Sequence, residues 1–122
     1  MYCLKKRNFV QNYFSTASAN LQITHLIHDA IKFKDPKAEI ILFGSQARED
    51  AHFDSDWDIL ILLNLPQVSR SLDKEYKDLL YNVELEIGQP ISSLVFSKND
   101  WEGKHKFTPL YNNIKREGIY LL

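Results

Sequence analysis

The stretch LFGSQAREDAHFDSDWDILILL, residues 42–63, sets acidic side chains directly against an apolar run. Its segment WDILILL, residues 57–63, is apolar on both faces after Asp58, as expected of a central strand that is covered on both sides. AEIILF, residues 38–43, is a second apolar run, and it ends at Gly44. If the glycine end of the first strand meets the acidic end of the second, the two strands are antiparallel.

The flanking sequence predicts an α/β fold, with a small mixed sheet flanked by helices. Helical periods, breakers and caps place the remaining elements in this order: a helix over 21–33 with Asn20 as N-cap, a helix over 71–87 that ends before Gly88, a strand over 90–97, and short helices capped by Ser97 and Thr108. Because a crossover helix precedes it, the third strand is expected to run parallel to the second.

Composition narrows the class of protein. The chain has 122 residues, 44% of them hydrophobic, which fits one domain; we expect that domain over 20–122, after a poorly defined leader over 1–19. A net charge of −1 lacks the basic excess that sequence-independent nucleic-acid binders need. The single cysteine, Cys3, favours a reducing compartment, with the cytoplasm as the default. No apolar run approaches the length of a membrane span.

Asp56 and Asp58 are the acids whose spacing suggests chemistry. Residues two apart on a strand project to the same face, about 6.6 Å apart. Two bare carboxylates at the edge of a core repel, and a divalent cation removes that conflict. Magnesium is suited to such a site because it takes a few carboxylates, retained waters and substrate phosphates. The bland alternative is a pair of solvated acids at a strand entrance.

FGSQARE, residues 43–49, is the other half of the candidate site. Gly44 lets the backbone approach a ligand closely, and the hydroxyl of Ser45 can donate to a phosphate oxygen. The helix-compatible residues that follow would add backbone N–H groups and a positive dipole end. These residues suit a nucleoside triphosphate, although Gly44 and Ser45 could also be only a turn and a cap.

Joined at this spacing, the two halves resemble the polymerase-beta-type nucleotidyltransferase superfamily. The pattern is hydrophobic-Gly-Ser, ten residues, and then Asp-hydrophobic-Asp-hydrophobic. The fuller runs, Gly44-Ser45-x-Ala47-Arg48 and Ser55-Asp56-x-Asp58, are similar to the minimal nucleotidyltransferase (MNT) branch. The resemblance covers residues 21–96 and implies a polymerase-beta-like fold and transfer of a nucleoside monophosphate.

The resemblance implies roles for particular residues. Asp56 and Asp58 would be catalytic and would hold magnesium, as two ions, with ATP or another NTP as substrate. The resemblance assigns the nucleotide to Gly44, Ser45, Arg48 and Ser55. From the residues alone, a salt bridge between Arg48 and Glu49, Asp50 or Asp54 is as good a reading as a ligand contact.

One departure from the superfamily is expected on the third strand. The superfamily usually has a third metal-binding carboxylate there, and the predicted topology puts that position among Ile91, Ser92 and Ser93, where no acid stands. Glu84 and Glu86 are the nearest acids in sequence, but they precede the strand. The chain would then be a slow enzyme, a nucleotide binder, or a protein whose partner completes the site.

For proteins of this size, the MNT resemblance also implies a partner. Such proteins commonly pair with a HEPN-domain ribonuclease as the antitoxin of a toxin–antitoxin system, and some adenylylate the toxin. The aromatic residues Trp101, Phe107 and Tyr111 could serve such an interface or fill a core. Two rival functions stay open: a non-catalytic module that neutralises a partner by contact, and a nucleotidyltransferase acting on RNA or a small molecule.

Overall fold

The computed structural model describes residues 15–51 and 55–122, with side chains from residue 20 onward. The predicted leader up to residue 14, Cys3 and Asp54 lie outside the described residues. In chain order the described elements are α1 (Ser15–Lys34), β1 (Glu39–Phe43), α2 (Ser45–Arg48), β2 (Trp57–Leu63), α3 (Arg70–Ile87), β3 (Ile91–Ser97), α4 (Lys98–Glu102), α5 (Pro109–Glu117) and β4 (Ile119–Tyr120).

The described strands form one mixed sheet in the order β3-β2-β1-β4. β1 and β2 are antiparallel, with Phe43 opposite Asp58, so the glycine end of one strand does meet the acidic end of the other. β2 and β3 are parallel, with Asp58 opposite Ser92. Both predicted strand directions are therefore confirmed. Gly44 and the two acids lie together at one end of the two central strands, β1 and β2.

Each face of the sheet carries a separate hydrophobic cluster. On one face, odd-numbered residues of β2 such as Ile59 and Ile61 pack against α1 and α3. On the other, Leu60 and Leu62 pack with residues of α4 and α5. Because side chains alternate along a strand, Asp58 shares the second face with Leu60 and Leu62. The acids therefore lie where the α4–α5 cover of the sheet ends.

The predicted helix ends and caps are largely confirmed. The hydroxyl of Ser97 accepts from the N–H of Asp100 at 3.0 Å, and that of Thr108 accepts from Tyr111 N–H at 3.2 Å. Gly88 ends α3 in the left-handed conformation, at φ 73°. Thr108 is followed by Pro109 at the first helical position, where a missing N–H costs nothing.

One sequence-based prediction about the elements is wrong, and one strand was missed. α1 begins at Ser15 rather than at residue 21, so Asn20 is an interior helical residue and not an N-cap. The helix continues through residues that lack an apolar period, because packing of its later turns carries it. The strand β4 was not predicted; it pairs antiparallel to β1, with Leu42 opposite Ile119.

The aromatic residues divide between core and surface. Trp57 is buried on the α1–α3 face, and its indole N–H donates to Oε1 of Gln89 at 2.7 Å. Trp101 and Tyr111 fill the second cluster, whereas Phe107 is 87% exposed. Of the three aromatics considered for an interface, only Phe107 is therefore on the surface. No helix within the described residues has the length and apolar character that a membrane crossing requires.

Candidate active site

Asp56 and Asp58 stand at the entrance of the central strand. Asp56 immediately precedes β2 and is exposed, whereas Asp58 lies inside the strand and is half-buried. The hydroxyl of Ser92 donates to Oδ2 of Asp56 at 3.0 Å, which links the acids to β3. The structure brings this predicted pair close enough for the charge of Asp56 to act on Asp58.

Gly44 brings the backbone of the predicted phosphate loop against Asp58. Its φ of 76° and ψ of −159° belong to a region that only glycine occupies readily. A Cβ placed on Gly44 would lie 3.1 Å from Cγ of Asp58 and 3.3 Å from its Cβ, and would overlap its Oδ2. The Asp58 carboxylate thus occupies the space that any other residue at 44 would fill.

The short helix α2 carries the rest of the predicted loop. Its only buried residue is Ala47, and the amides of Ala47 and Arg48 both donate to the carbonyl of Gly44 at 3.0 Å. The side-chain amide Nε2 of Gln46 donates to the carbonyl of Ser55 at 3.4 Å, which ties α2 to the segment before β2. The two halves of the sequence motif are therefore in direct contact, although four residues give α2 only a small dipole.

Arg48 is ion-paired with two acids. Its Nε donates to Asp50 at 3.1 Å, and its Nη1 lies 3.3 Å from both carboxylate oxygens of Glu117. Asp50 was one of the expected salt-bridge partners, and Glu117 was not. The hydrogen bonds that Arg48 donates to Asp50 and to Glu117 raise the pKa of Arg48, which keeps the guanidinium charged. A phosphate role for Arg48 stays a prediction.

Glu117 is the residue of this site that sequence reasoning missed. It is the last residue of α5, and its Oε2 accepts from the N–H of Gly44 at 2.9 Å. Its side chain is only 14% exposed. No motif marks Glu117, because it reaches Gly44 only through the unpredicted pairing of β4 with β1. The glycine that follows it, Gly118, is a common helix-end signal but says nothing about what Glu117 contacts.

The charges around Asp58 favour its protonated form. Burial raises the pKa of Asp58, the neighbouring Asp56 raises it further, Arg48 lowers it, and Glu117 raises it again. The net direction is upward because two carboxylates and partial burial outweigh one half-exposed guanidinium. A cation beside Asp58 would relieve this conflict.

The donor set fits one divalent cation held together with a ligand. Within the described residues, no group of three His, Cys, Asp or Glu side chains is placed to hold a metal ion. Asp56 and Asp58 nevertheless project to the same side, and Asp58 fills the space beside Gly44 that a Cβ would occupy. Magnesium binds such a pair of carboxylates when phosphates and waters complete its shell. Asp56 and Asp58 would then be its protein ligands.

Ser92 is the residue of β3 that contacts the acids. It lies opposite Asp58 and contacts Asp56, as expected for the third wall of the site. Glu84 instead accepts from the N–H of Ile91 at 2.9 Å, at the start of β3. Neither Glu84 nor Glu86 is among the charges that shift the pKa of Asp58. Within the described residues, no third acid forms a metal-holding group with Asp56 and Asp58. The departure from the superfamily pattern stays a prediction.

Fold and site together define an α/β domain in which a glycine-containing loop lies against two carboxylates at the start of the central strand. The family model described as a nucleotidyltransferase domain matches residues 26–121, and the chain belongs to this family. Its mixed sheet has the polymerase-beta-like nucleotidyltransferase fold. Members of such families generally use an NTP and a divalent metal, and the match supports a general nucleotidyl-transfer role. A comparison with curated proteins finds no match for this chain.

Proposed function

We propose that the chain is a magnesium-dependent nucleotidyltransferase that moves AMP from ATP to a hydroxyl of a partner protein. The acceptor hydroxyl attacks the α-phosphorus, a bond from its oxygen to phosphorus forms, and the bond to the β-phosphate oxygen breaks. Pyrophosphate leaves with the electron pair, and the hydroxyl proton passes to solvent. Magnesium, when bound, supplies positive charge to the phosphate oxygens.

The residues of the chain would act mainly by positioning. Asp56 and Asp58 would hold the cation at the end of the sheet, with Asp58 seated against Gly44. Gly44 and Ser45 would receive the triphosphate, and Ser55 would help to shape the loop beside Gln46. Arg48 would contribute charge at the phosphate end, since its guanidinium is half-exposed. Positioning and electrostatic stabilisation of this kind account for most of the catalysis of phosphoryl transfer.

The single observation that carries the proposal is the contact between Gly44 and Asp58. A turn glycine in a general α/β domain has no need to abut a half-buried carboxylate, and burial of that carboxylate costs stability unless a ligand compensates. A cation bound with nucleotide phosphates supplies that compensation. The sequence match to the nucleotidyltransferase family is independent support for it.

We propose a HEPN-type toxin as the protein partner, and the cytoplasm as the place of action. The MNT-type motif supports the toxin as partner, and the single cysteine supports the cytoplasm. The structure adds no further support, because Trp101 and Tyr111 are core residues. RNA or a small molecule is a less favoured acceptor, since the net charge is −1.

Co-expression with the product of the adjacent gene tests the proposal. The complex is purified by gel filtration, incubated with magnesium and ATP, and examined by intact mass measurement. We expect the partner, and not this chain, to gain the mass of one or more AMP groups. The same complex carrying Asp56→Asn is the control, and it should show no gain. Transfer of AMP to RNA or to a small molecule instead would refute the protein acceptor.

A second candidate function is favoured by Ser92. With a hydroxyl where the third carboxylate is expected, the chain could keep the fold and neutralise a partner by contact alone. The same experiment separates the two functions. A stable complex without any mass gain supports the non-catalytic module.

A further inference from the structure

Glu117 ties the end of α5 to the phosphate loop by two contacts. Its Oε2 accepts a hydrogen bond from the N–H of Gly44 at 2.9 Å. Its two carboxylate oxygens each lie 3.3 Å from Nη1 of Arg48. With 14% of its side chain exposed, Glu117 is largely shielded from water, and its 2.9 Å hydrogen bond with the N–H of Gly44 is charge-assisted. Its pairing with Arg48 is longer, and that guanidinium is half-exposed, so this contact is the weaker of the two.

The fold delivers Glu117 to this place through close packing. The next residue, Gly118, approaches β1 so closely that a Cβ there would lie 2.7 Å from Cγ2 of Ile41 and 2.6 Å from the carbonyl oxygen of Ile114. β4 then pairs with β1, with Leu42 opposite Ile119. Glycine at 118 and the short strand together hold the carboxylate beside Gly44, so its position is determined by backbone contacts.

We propose that Glu117 is a positioning residue for nucleotide binding. By accepting the N–H of Gly44, it holds the loop in the conformation that seats Asp58, and by pairing with Arg48 it keeps that guanidinium beside the acids. The inference rests on the proposed function, because it concerns the binding of magnesium and ATP at the same site. Glu117 itself is not assigned to the cation or to the nucleotide.

If Glu117 competed with the nucleotide, its removal would change the ATP affinity in the opposite direction. A carboxylate on a backbone N–H and a guanidinium could imitate a phosphate and compete with the nucleotide. Its removal would then tighten ATP binding. Removal of a positioning residue weakens ATP binding, because part of the binding free energy is then used to order the loop. The two roles are therefore separated by one affinity measurement.

The experiment is calorimetric titration of the full chain with ATP in magnesium, using Glu117→Ala, Glu117→Gln and Asp78→Asn. Asp78 is an exposed acid of α3 paired with Lys74, so its variant controls for the loss of one negative charge. In Glu117→Gln the amide oxygen still accepts from Gly44, although the charge that pairs with Arg48 is gone. Melting temperatures show that each variant is folded at the titration temperature.

We expect about tenfold weaker binding for Glu117→Ala, the factor for losing one charge-assisted hydrogen bond. Glu117→Gln should return to within about threefold of the unsubstituted chain, and Asp78→Asn should match it. Unchanged or tighter binding by Glu117→Ala overturns the inference, as does a Glu117→Gln variant as weak as Glu117→Ala. If the unsubstituted chain binds no ATP, the proposed function fails, and the inference fails with it.

Discussion

Gly44→Ala tests the contact on which the proposed site depends. The φ and ψ of Gly44 fall in a region where a non-glycine residue costs about 1–3 kcal/mol. The new methyl group would also overlap Oδ2 of Asp58 and lie 3.1 Å from its Cγ. The carboxylate must therefore move, and magnesium-dependent ATP binding should be lost.

Gly88→Ala is the matched control. Gly88 has nearly the same φ, 73°, but a Cβ there would meet no atom within 4 Å. We expect it to cost about 1 kcal/mol from the left-handed backbone alone and to leave ATP affinity within about twofold. For a chain of this length, about 4 °C of melting temperature corresponds to 1 kcal/mol, so Gly44→Ala should lower the melting temperature by about 4–12 °C.

Thermal unfolding and calorimetric titration with ATP in magnesium measure the two effects separately. The prediction is a folded Gly44→Ala variant without measurable binding, beside a Gly88→Ala variant that binds normally. If Gly44→Ala binds ATP as well as Gly88→Ala does, the contact with Asp58 has no part in ligand binding, and our assignment of the site is wrong.

Three further predictions concern the acids, the third strand and the core. The pKa of the Asp58 carboxyl is raised in the folded chain, so in metal-free buffer the folded chain binds the carboxyl proton more tightly than the unfolded chain does. The free energy of unfolding therefore falls as the pH rises from the unfolded pKa through the raised folded pKa. Asp58→Asn should accordingly raise the melting temperature at pH 7, with a gain that shrinks as the pH falls towards about 4, and a gain independent of pH would contradict this. Ser92→Asp should strengthen magnesium binding, because Ser92 contacts Asp56. Ser93→Asp should not, since Oγ and the carbonyl of Ser93 accept from Lys77 of α3. Equal magnesium affinities of the two variants in calorimetry would show that Ser92 does not face the metal site. Ile59→Ala should reduce the free energy of unfolding by about 2–5 kcal/mol in urea, because Ile59 is fully buried, whereas the exposed Leu85→Ala should change it by less than about 0.5 kcal/mol.

The elements that carry local signals could be predicted from the sequence. β1 and β2 are apolar runs bounded by Gly44 and the acids, and α5 has a cap, a proline and a terminal glycine. The antiparallel pairing of β1 and β2 followed from requiring their chemical ends to meet. Local propensity and tertiary packing agree in these elements, which is why the short-range pattern was sufficient.

The missed features depend on contacts between distant parts of the chain. β4 has two residues, too few for an alternation pattern, and it exists because β1 offers it an edge. Glu117 reaches Gly44 only through that pairing, so no spacing in the sequence relates the two. Arg48 shows the same limit: its bond to Asp50 is local and was anticipated, but its bond to Glu117 was not.

The start of α1 was misplaced for a related reason. Residues 15–20 lack an apolar period, and Asn20 is a good N-cap residue, so the local signal favoured a start at 21. The helix nevertheless extends back to Ser15. Once a helix is nucleated, further turns add at low cost, whether or not they present an apolar face.

The most direct test of nucleotidyl transfer uses ATP labelled at either the α- or the γ-phosphate. The purified complex of this chain with its partner is incubated with magnesium and each label, and protein-bound label and free pyrophosphate are measured. We predict that the α-label becomes attached to the partner while the γ-label appears in pyrophosphate, and that Asp56→Asn and Asp58→Asn abolish both. Attachment of the γ-label, or of neither label, would contradict nucleotidyl transfer by this chain.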